Sequence, residues 1–128
     1  CGTGVLSILA YQLGAKKVKA LDIDEWAVEN SEENFSLNEC EIEVLLGGID
    51  LVKEFSIYDI VLANINKNVL LEQIPAYVDR MKPSGILLLS GFYESDIDDI
   101  SALADQTGLQ FSKSDVQNNW AVLAFKKP

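Results

Sequence analysis

The sequence predicts an open, mostly parallel α/β sheet that ends in an antiparallel hairpin. Three observations point to it. Segments with helical and strand patterning alternate along the chain. Strand segments such as "ILLLS" are short continuous apolar runs, the kind that a sheet covered on both faces buries. The last two strand segments, "LQFSKSDV" and "WAVLAFK", are separated only by "QNN".

The elements follow in order. After the opening "CGTG", the run "VLSILAYQL" puts Val5, Leu6, Leu9 and Leu13 on one helical face, and Gly14 stops it. "KVKALDID" reads as a short buried strand over residues 18–21 that ends on Asp22. Asp24 is a good N-cap for the next helix, "EWAVENSEENFSLN", whose first turn is acidic as the helix dipole prefers. "EIEVLLGG" alternates polar and apolar and then turns at Gly47 and Gly48, a third element of strand type. "YDIVLAN" is a buried strand with a polar end. In "NVLLEQIPAYVDRM", Leu70, Ile74, Tyr77, Val78 and Met81 form one helical stripe, with Pro75 expected to bend it. "KPSG" reads as a turn before the "ILLLS" strand. "SDIDDISALADQTG" is a helix capped near Ser95 or Asp96 and closed by Gly108.

No strand stands ahead of the glycine turn at residues 1–4, where this architecture has a central one. The expectation is a single domain over residues 1–128 whose first strand is missing, a truncated piece of a longer protein. The absence of an initiator methionine points the same way.

Composition narrows the chemistry. A chain of 128 residues with 48% hydrophobic and 23% charged residues can bury a core. No apolar run is long enough for a membrane span, and no signal peptide is visible. The net charge of −10 repels phosphate backbones, so direct nucleic-acid binding is not expected, whereas a basic protein partner is tolerated. The chain has no histidine, which removes Ser-His and Cys-His catalysis and His-based metal sites. Cys1 and Cys40 have neither metal spacing nor an adjacent base, so no metal is expected and a reducing cytoplasm is the default.

Four groups can carry chemistry. Gly2, Thr3 and Gly4 match only G-x-G, because Ser7 stands where the dinucleotide fingerprint has its third glycine. That group is either an ordinary tight turn or a close approach of backbone to a ligand. Asp22, at the end of the second element and at the right distance after the turn, can accept both hydroxyl protons of a ribose. Together the two signals indicate an adenosine-containing cofactor. Gly47, Gly48 and Asp50 follow the next strand and are either a solvent turn or the adenine side of the pocket. Asn64 ends a strand where such sheets place ligands, and its amide can accept from an amine; the alternative is a capping residue. Asn66 and Asn68 read as caps of the following helix. Ser90, Gly91 and Phe92 end the "ILLLS" strand, and Phe92 is either a pocket wall or a packed aromatic. Trp26 and Trp120 read as core or rim residues.

"CGTGVLSI", "ALDIDEWAVENSEEN", "VLANINKNVLL" and "LLLSGF" resemble class I S-adenosylmethionine-dependent methyltransferases. Among these the chain most resembles the ribosomal protein methyltransferases that modify large-subunit ribosomal protein eleven, over nearly its whole length. "CGTG" and "DID" are widespread in the class; "ANINKNVLL" followed by "LLLSGF" is more specific. The resemblance implies a Rossmann-like sheet of seven strands and a small substrate-recognition domain, absent here. It implies S-adenosyl-L-methionine as cofactor. Gly2, Thr3 and Gly4 would approach its methionine part, Asp22 with Ile23 its ribose, and Gly48 with Ile49 its adenine. Asn64, with Ile65 beside it, would sit nearest the sulfonium and the incoming amine, as the catalytic residue. Where many amino-methyltransferases have Asn-Pro-Pro-Tyr, this chain has Asn64-Ile65-Asn66-Lys67, which leaves the aromatic wall of the acceptor pocket unassigned. The implied substrate is a basic ribosomal protein, modified on lysine and terminal amino groups by a monomeric enzyme. Three other readings stay open: a methyltransferase for nucleic acid or a small molecule, a nicotinamide-dependent oxidoreductase domain, and a non-catalytic fragment.

Overall fold

The computed structural model describes residues 1–128. The chain divides into two compact units, Cys1–Leu51 and Val52–Pro128.

The first unit holds α1 (Val5–Gln12), β1 (Lys19–Asp22), α2 (Glu25–Leu37), β2 (Glu43–Leu46) and a 3₁₀ turn (Ile49–Leu51). β1 and β2 pair in parallel, from Lys19 opposite Glu43 to Asp22 opposite Leu46. Parallel neighbours need a crossover, and α2 supplies it. Asp24 caps α2, its carboxylate accepting the Trp26 N–H at 2.9 Å. Ala27, Ser31 and Phe35, four residues apart, form the buried stripe of α2. The apolar stripe expected on α1 is present but uncovered: Val5, Leu6, Leu9 and Leu13 are all exposed. Gly14, at φ 109°, ends α1 in the conformation that glycine alone adopts cheaply.

The second unit holds β3 (Tyr58–Asn64), α3 (Lys67–Arg80), β4 (Met81–Tyr93), a 3₁₀ turn (Glu94–Asp96), α4 (Ile97–Gln106), β5 (Gln110–Gln117) and β6 (Trp120–Lys126). The strand order is β3-β4-β6-β5. β3 and β4 are parallel; β6 is antiparallel to both β4 and β5. Asn118 and Asn119 close the β5–β6 hairpin with both φ values positive, the twist that a two-residue hairpin turn requires. One sheet face packs under α3 and α4. Leu87, Leu89, Leu123 and Phe125 on that face, with Leu70 and Ile74 of α3 and Ile100 of α4, are at most 1% exposed. Strand alternation sends Ile60, Ile86 and Val122 to the other face, where they are exposed.

α3 continues through Pro75 to Arg80, although proline gives up one ladder hydrogen bond. One local expectation is refined. The "KPSG" stretch lies within β4 rather than before it. β4 pairs with β3 at Met81 and again from Ile86, so residues 82–85 bulge between the two registers, with Ser84 at φ 69°.

Candidate active site

In the first unit the glycine turn, the end of β1 and the end of β2 are tied together by backbone. The Cys1 nitrogen donates to the Leu21 carbonyl and to Oδ2 of Asp22, each at 2.8 Å. Gly2 N–H donates to the same oxygen at 2.9 Å. Oδ1 of Asp22 accepts the Asp24 N–H at 2.9 Å, and the Asp22 carbonyl accepts the Gly47 N–H at 2.8 Å. Asp22 therefore anchors the turn at residues 1–4 and the turn at residues 47–49 at once. Burial pushes its carboxyl up, and the hydrogen bonds from the Gly2 and Asp24 amides pull it down. The group is an anion throughout the physiological range.

The glycines are placed for reasons that differ. Gly4, at φ 80°, lies against Phe35: an added β-carbon would stand 2.5 Å from that ring, so Gly4 is needed for packing as well as for its backbone. Gly2, at φ 57°, and Gly48 have open space where a β-carbon would be. The Gly2 carbonyl accepts from the buried Ser31 hydroxyl at 2.8 Å, and the Thr3 carbonyl accepts from the Asn34 amide at 2.8 Å. α2 thus holds the turn from behind. Ile23 is 83% exposed, beside Asp22 at the same sheet edge. Open space at Gly2 and Gly48, an exposed apolar Ile23, and an ionised Asp22 whose Oδ1 takes a single protein hydrogen bond fit an adenosine-containing cofactor.

In the second unit Asn64 lines an open cleft of about 500 Å³ with Ile65, Asn66, Ser90, Gly91, Trp120, Ala121 and Val122. The cleft lies at the C-terminal ends of the parallel pair β3 and β4, where α/β sheets place ligands. Ile65 N–H donates to the Ser90 carbonyl at 3.0 Å and joins the two strand ends. Asn66 caps α3, its side-chain oxygen accepting the Val69 N–H at 3.1 Å, as expected; Asn68 lies inside the first turn instead.

The aromatic residue lining this cleft is Trp120, which the sequence places in the core or rim. Trp120 lines the cleft and stacks on Tyr93, with ring centroids 4.4 Å apart and planes at 29°. Phe92, the candidate read from sequence, is 1% exposed and belongs to the core. The register shift between Leu89 and Phe92 explains the exchange: it breaks the alternation, so that Phe92 turns to the covered face and Tyr93, paired in register with Trp120, to the open one. The position of Trp120 as first residue after the hairpin turn was the available signal. Trp26 is exposed on α2.

Comparison with known proteins adds a family to this geometry. A ribosomal protein L11 methyltransferase from Porphyromonas gingivalis is 45% identical over 126 residues, which are 98% of this chain and 43% of that protein. The chain therefore spans less than half the length of that curated relative. The crystal structure of a ribosomal protein L11 methylase from Lactobacillus delbrueckii subsp. bulgaricus superposes with a TM-score of 0.93 at 28% identity, covering 99% of this chain and 67% of that one. The structure of M. jannaschii TYW2 in complex with AdoMet shares the fold, with a TM-score of 0.75 at 18% identity over 98% of this chain and 64% of that one. The family described as ribosomal protein L11 methyltransferase (PrmA) matches residues 1–128, and the chain belongs to that family.

Proposed function

We propose that the chain carries the cofactor-binding and acceptor-binding residues of an S-adenosyl-L-methionine-dependent N-methyltransferase. Its substrate is a basic large-subunit ribosomal protein, methylated on lysine side chains and the terminal amino group. The observation that carries this reading is the cleft that joins Asn64 to Trp120 at the ends of a parallel strand pair, in a chain of this family.

Gly2, Thr3 and Gly4 take the methionine part of the cofactor through backbone, and Asp22 with Ile23 takes the ribose. Gly48 and Ile49 border the adenine. The cofactor supplies a methyl carbon already activated by its bond to a sulfonium. The residues of the chain need only present a nucleophile in line and near contact. An ammonium has no lone pair, so the acceptor amine must first give a proton to solvent. Asn64 Oδ1 then accepts one of the remaining amine N–H bonds and aims the lone pair. The Trp120 indole packs along the aliphatic stem of a lysine and favours a cationic product amine through its π face. As the N–C bond forms, the C–S bond breaks and its electrons remain on sulfur. A net charge of −10 suits a basic partner better than a nucleic acid.

The test uses the protein expressed with all of the sequence its gene encodes. Asn64→Ala is expected to keep S-adenosylhomocysteine affinity in calorimetry and to lose turnover on ribosomal protein L11 by roughly a hundredfold or more. Unchanged turnover would remove Asn64 from the mechanism.

A further inference from the structure

One cation joins the start of α3 to the start of α4. Lys67 Nζ donates to Oδ2 of Asp99 at 2.5 Å and lies 3.8 Å from Oδ1 of Asp96. A lysine in the first turn of a helix opposes the helix dipole, so the propensity of α3 does not account for it. Asp96 has a second partner: its Oδ2 accepts the Tyr93 N–H at 3.1 Å. Tyr93 stacks on Trp120, and the next residue, Glu94, donates its N–H to the Asn119 carbonyl at 2.8 Å. A continuous path therefore runs from the loop at residues 64–66 through Lys67, Asp96 and Tyr93 to Trp120. Both of its ends line the cleft.

We propose that Lys67 is a positioning residue that sets the spacing between the Asn64 loop and the Tyr93–Trp120 wall, and so aims the acceptor amine. The proposal rests on the acceptor reading of the cleft given above. Lys67 touches neither acceptor nor cofactor; it acts through the two aspartates. Partly exposed ion pairs of this kind add little to stability, so the fold survives the loss of Lys67 while the geometry of the cleft does not. A misplacement of about 1 Å is enough to cost a displacement reaction a large factor in rate.

The experiment compares Lys67→Met, Lys67→Arg and Asp99→Asn in the protein expressed with all of the sequence its gene encodes. Lys82→Met serves as control, because its ion pair with Asp59 lies at the opposite strand ends. Two readouts are taken: acrylamide quenching of Trp120 with every other tryptophan replaced by phenylalanine, and steady-state methylation of isolated ribosomal protein L11. In Lys67→Met and Asp99→Asn, Trp120 becomes about twofold more quenchable and kcat falls roughly tenfold to a hundredfold, with KM for the cofactor unchanged. Lys67→Arg restores both to near the parent value, and Lys82→Met changes neither. Unchanged quenching in both Lys67→Met and Asp99→Asn overturns the proposal even if no L11 methylation is detected, the outcome that would sink the acceptor reading itself. Increased quenching with unchanged kcat also overturns it, since the link would then be structural only.

Discussion

A β-carbon on Gly91 would stand 2.6 Å from Oδ1 of Asn64 and 2.7 Å from the Ile65 nitrogen. Gly91 also sits at φ 92°, where side chains are rarely found. The amide that is to aim the acceptor therefore rests directly on the bare backbone of the neighbouring strand. Gly91→Ala must displace Asn64, bend the strand, or both. The expected result is a loss of about 1–3 kcal/mol in urea denaturation, from the strained backbone conformation and the contact together. Turnover is expected to fall more steeply than stability, because Asn64 moves first. A Gly91→Ala protein with parental turnover would show that the position of Asn64 is not critical.

Much of this was legible in the sequence, and the remainder had physical reasons for being hidden. The strand and helix alternation, the Asp24 cap and the Asn118–Asn119 hairpin turn rest on local patterning, and the structure follows it. The end of β3 at Asn64 was equally plain. The role of Trp120 was not, because it depends on which face of β4 carries Tyr93, and β4 shifts register against β6 between Leu89 and Phe92. A bulge reverses the face assignment without leaving a mark in composition. The network at Asp22 was half legible: the carboxylate stood out by position, but its bonds to Gly2 and Cys1 span about twenty residues of chain. Lys67 entered the sequence reading only as the end of the Asn64-Ile65-Asn66-Lys67 stretch, and only the packing of α3 beside α4 brings it to Asp96 and Asp99.

Asp22 predicts a pH dependence with a definite sign. Its carboxyl is held below the ordinary value of 3.8 by the N–H groups of Gly2 and Asp24. A depressed carboxyl contributes stability that is present in full above the unfolded value and is lost as pH falls through the folded one. The stability difference between the parent and Asp22→Asn is therefore expected to stay level from neutral pH down to about 5 and to shrink as pH falls further through the carboxylate range. Denaturation midpoints at several pH values check it. A difference that grows on acidification would contradict the hydrogen-bonding scheme at the glycine turn.

Arg80 is 7% exposed and closes the C-terminus of α3. Its Nε donates to the Val52 carbonyl and its Nη1 to the Ala76 carbonyl, both at 2.9 Å, and its guanidinium lies 4.7 Å from the Phe55 ring centroid. A buried cation is tolerable there because carbonyls and the negative end of the helix dipole face it. Lys127 reinforces the same end, donating to the carbonyls of Val78 and Met81. Arg80→Met keeps the bulk but strands the Val52 carbonyl, and is expected to cost about 1.5–3 kcal/mol. Arg80→Lys keeps the charge without the planar fork and is expected to recover only part of that loss. Thermal melting of both variants tests the order.

Tyr58 carries the opposite expectation. Its hydroxyl is buried without a hydrogen-bond partner, at the start of β3 and far along the strand from Asn64. An unpaired buried hydroxyl has lost its hydration and gained nothing in exchange, a penalty of about 1–3 kcal/mol. Phenylalanine has the same ring and lacks the oxygen, so Tyr58→Phe removes the penalty and leaves the packing intact. The variant is expected to match or exceed the parent in urea midpoint, by up to about 1 kcal/mol after the slightly smaller side chain is allowed for. Its methylation kinetics are expected to be unchanged, because the hydroxyl lies at the opposite end of β3 from the cleft. A loss of more than about 1 kcal/mol would mean that the hydroxyl has a partner after all, such as an ordered water.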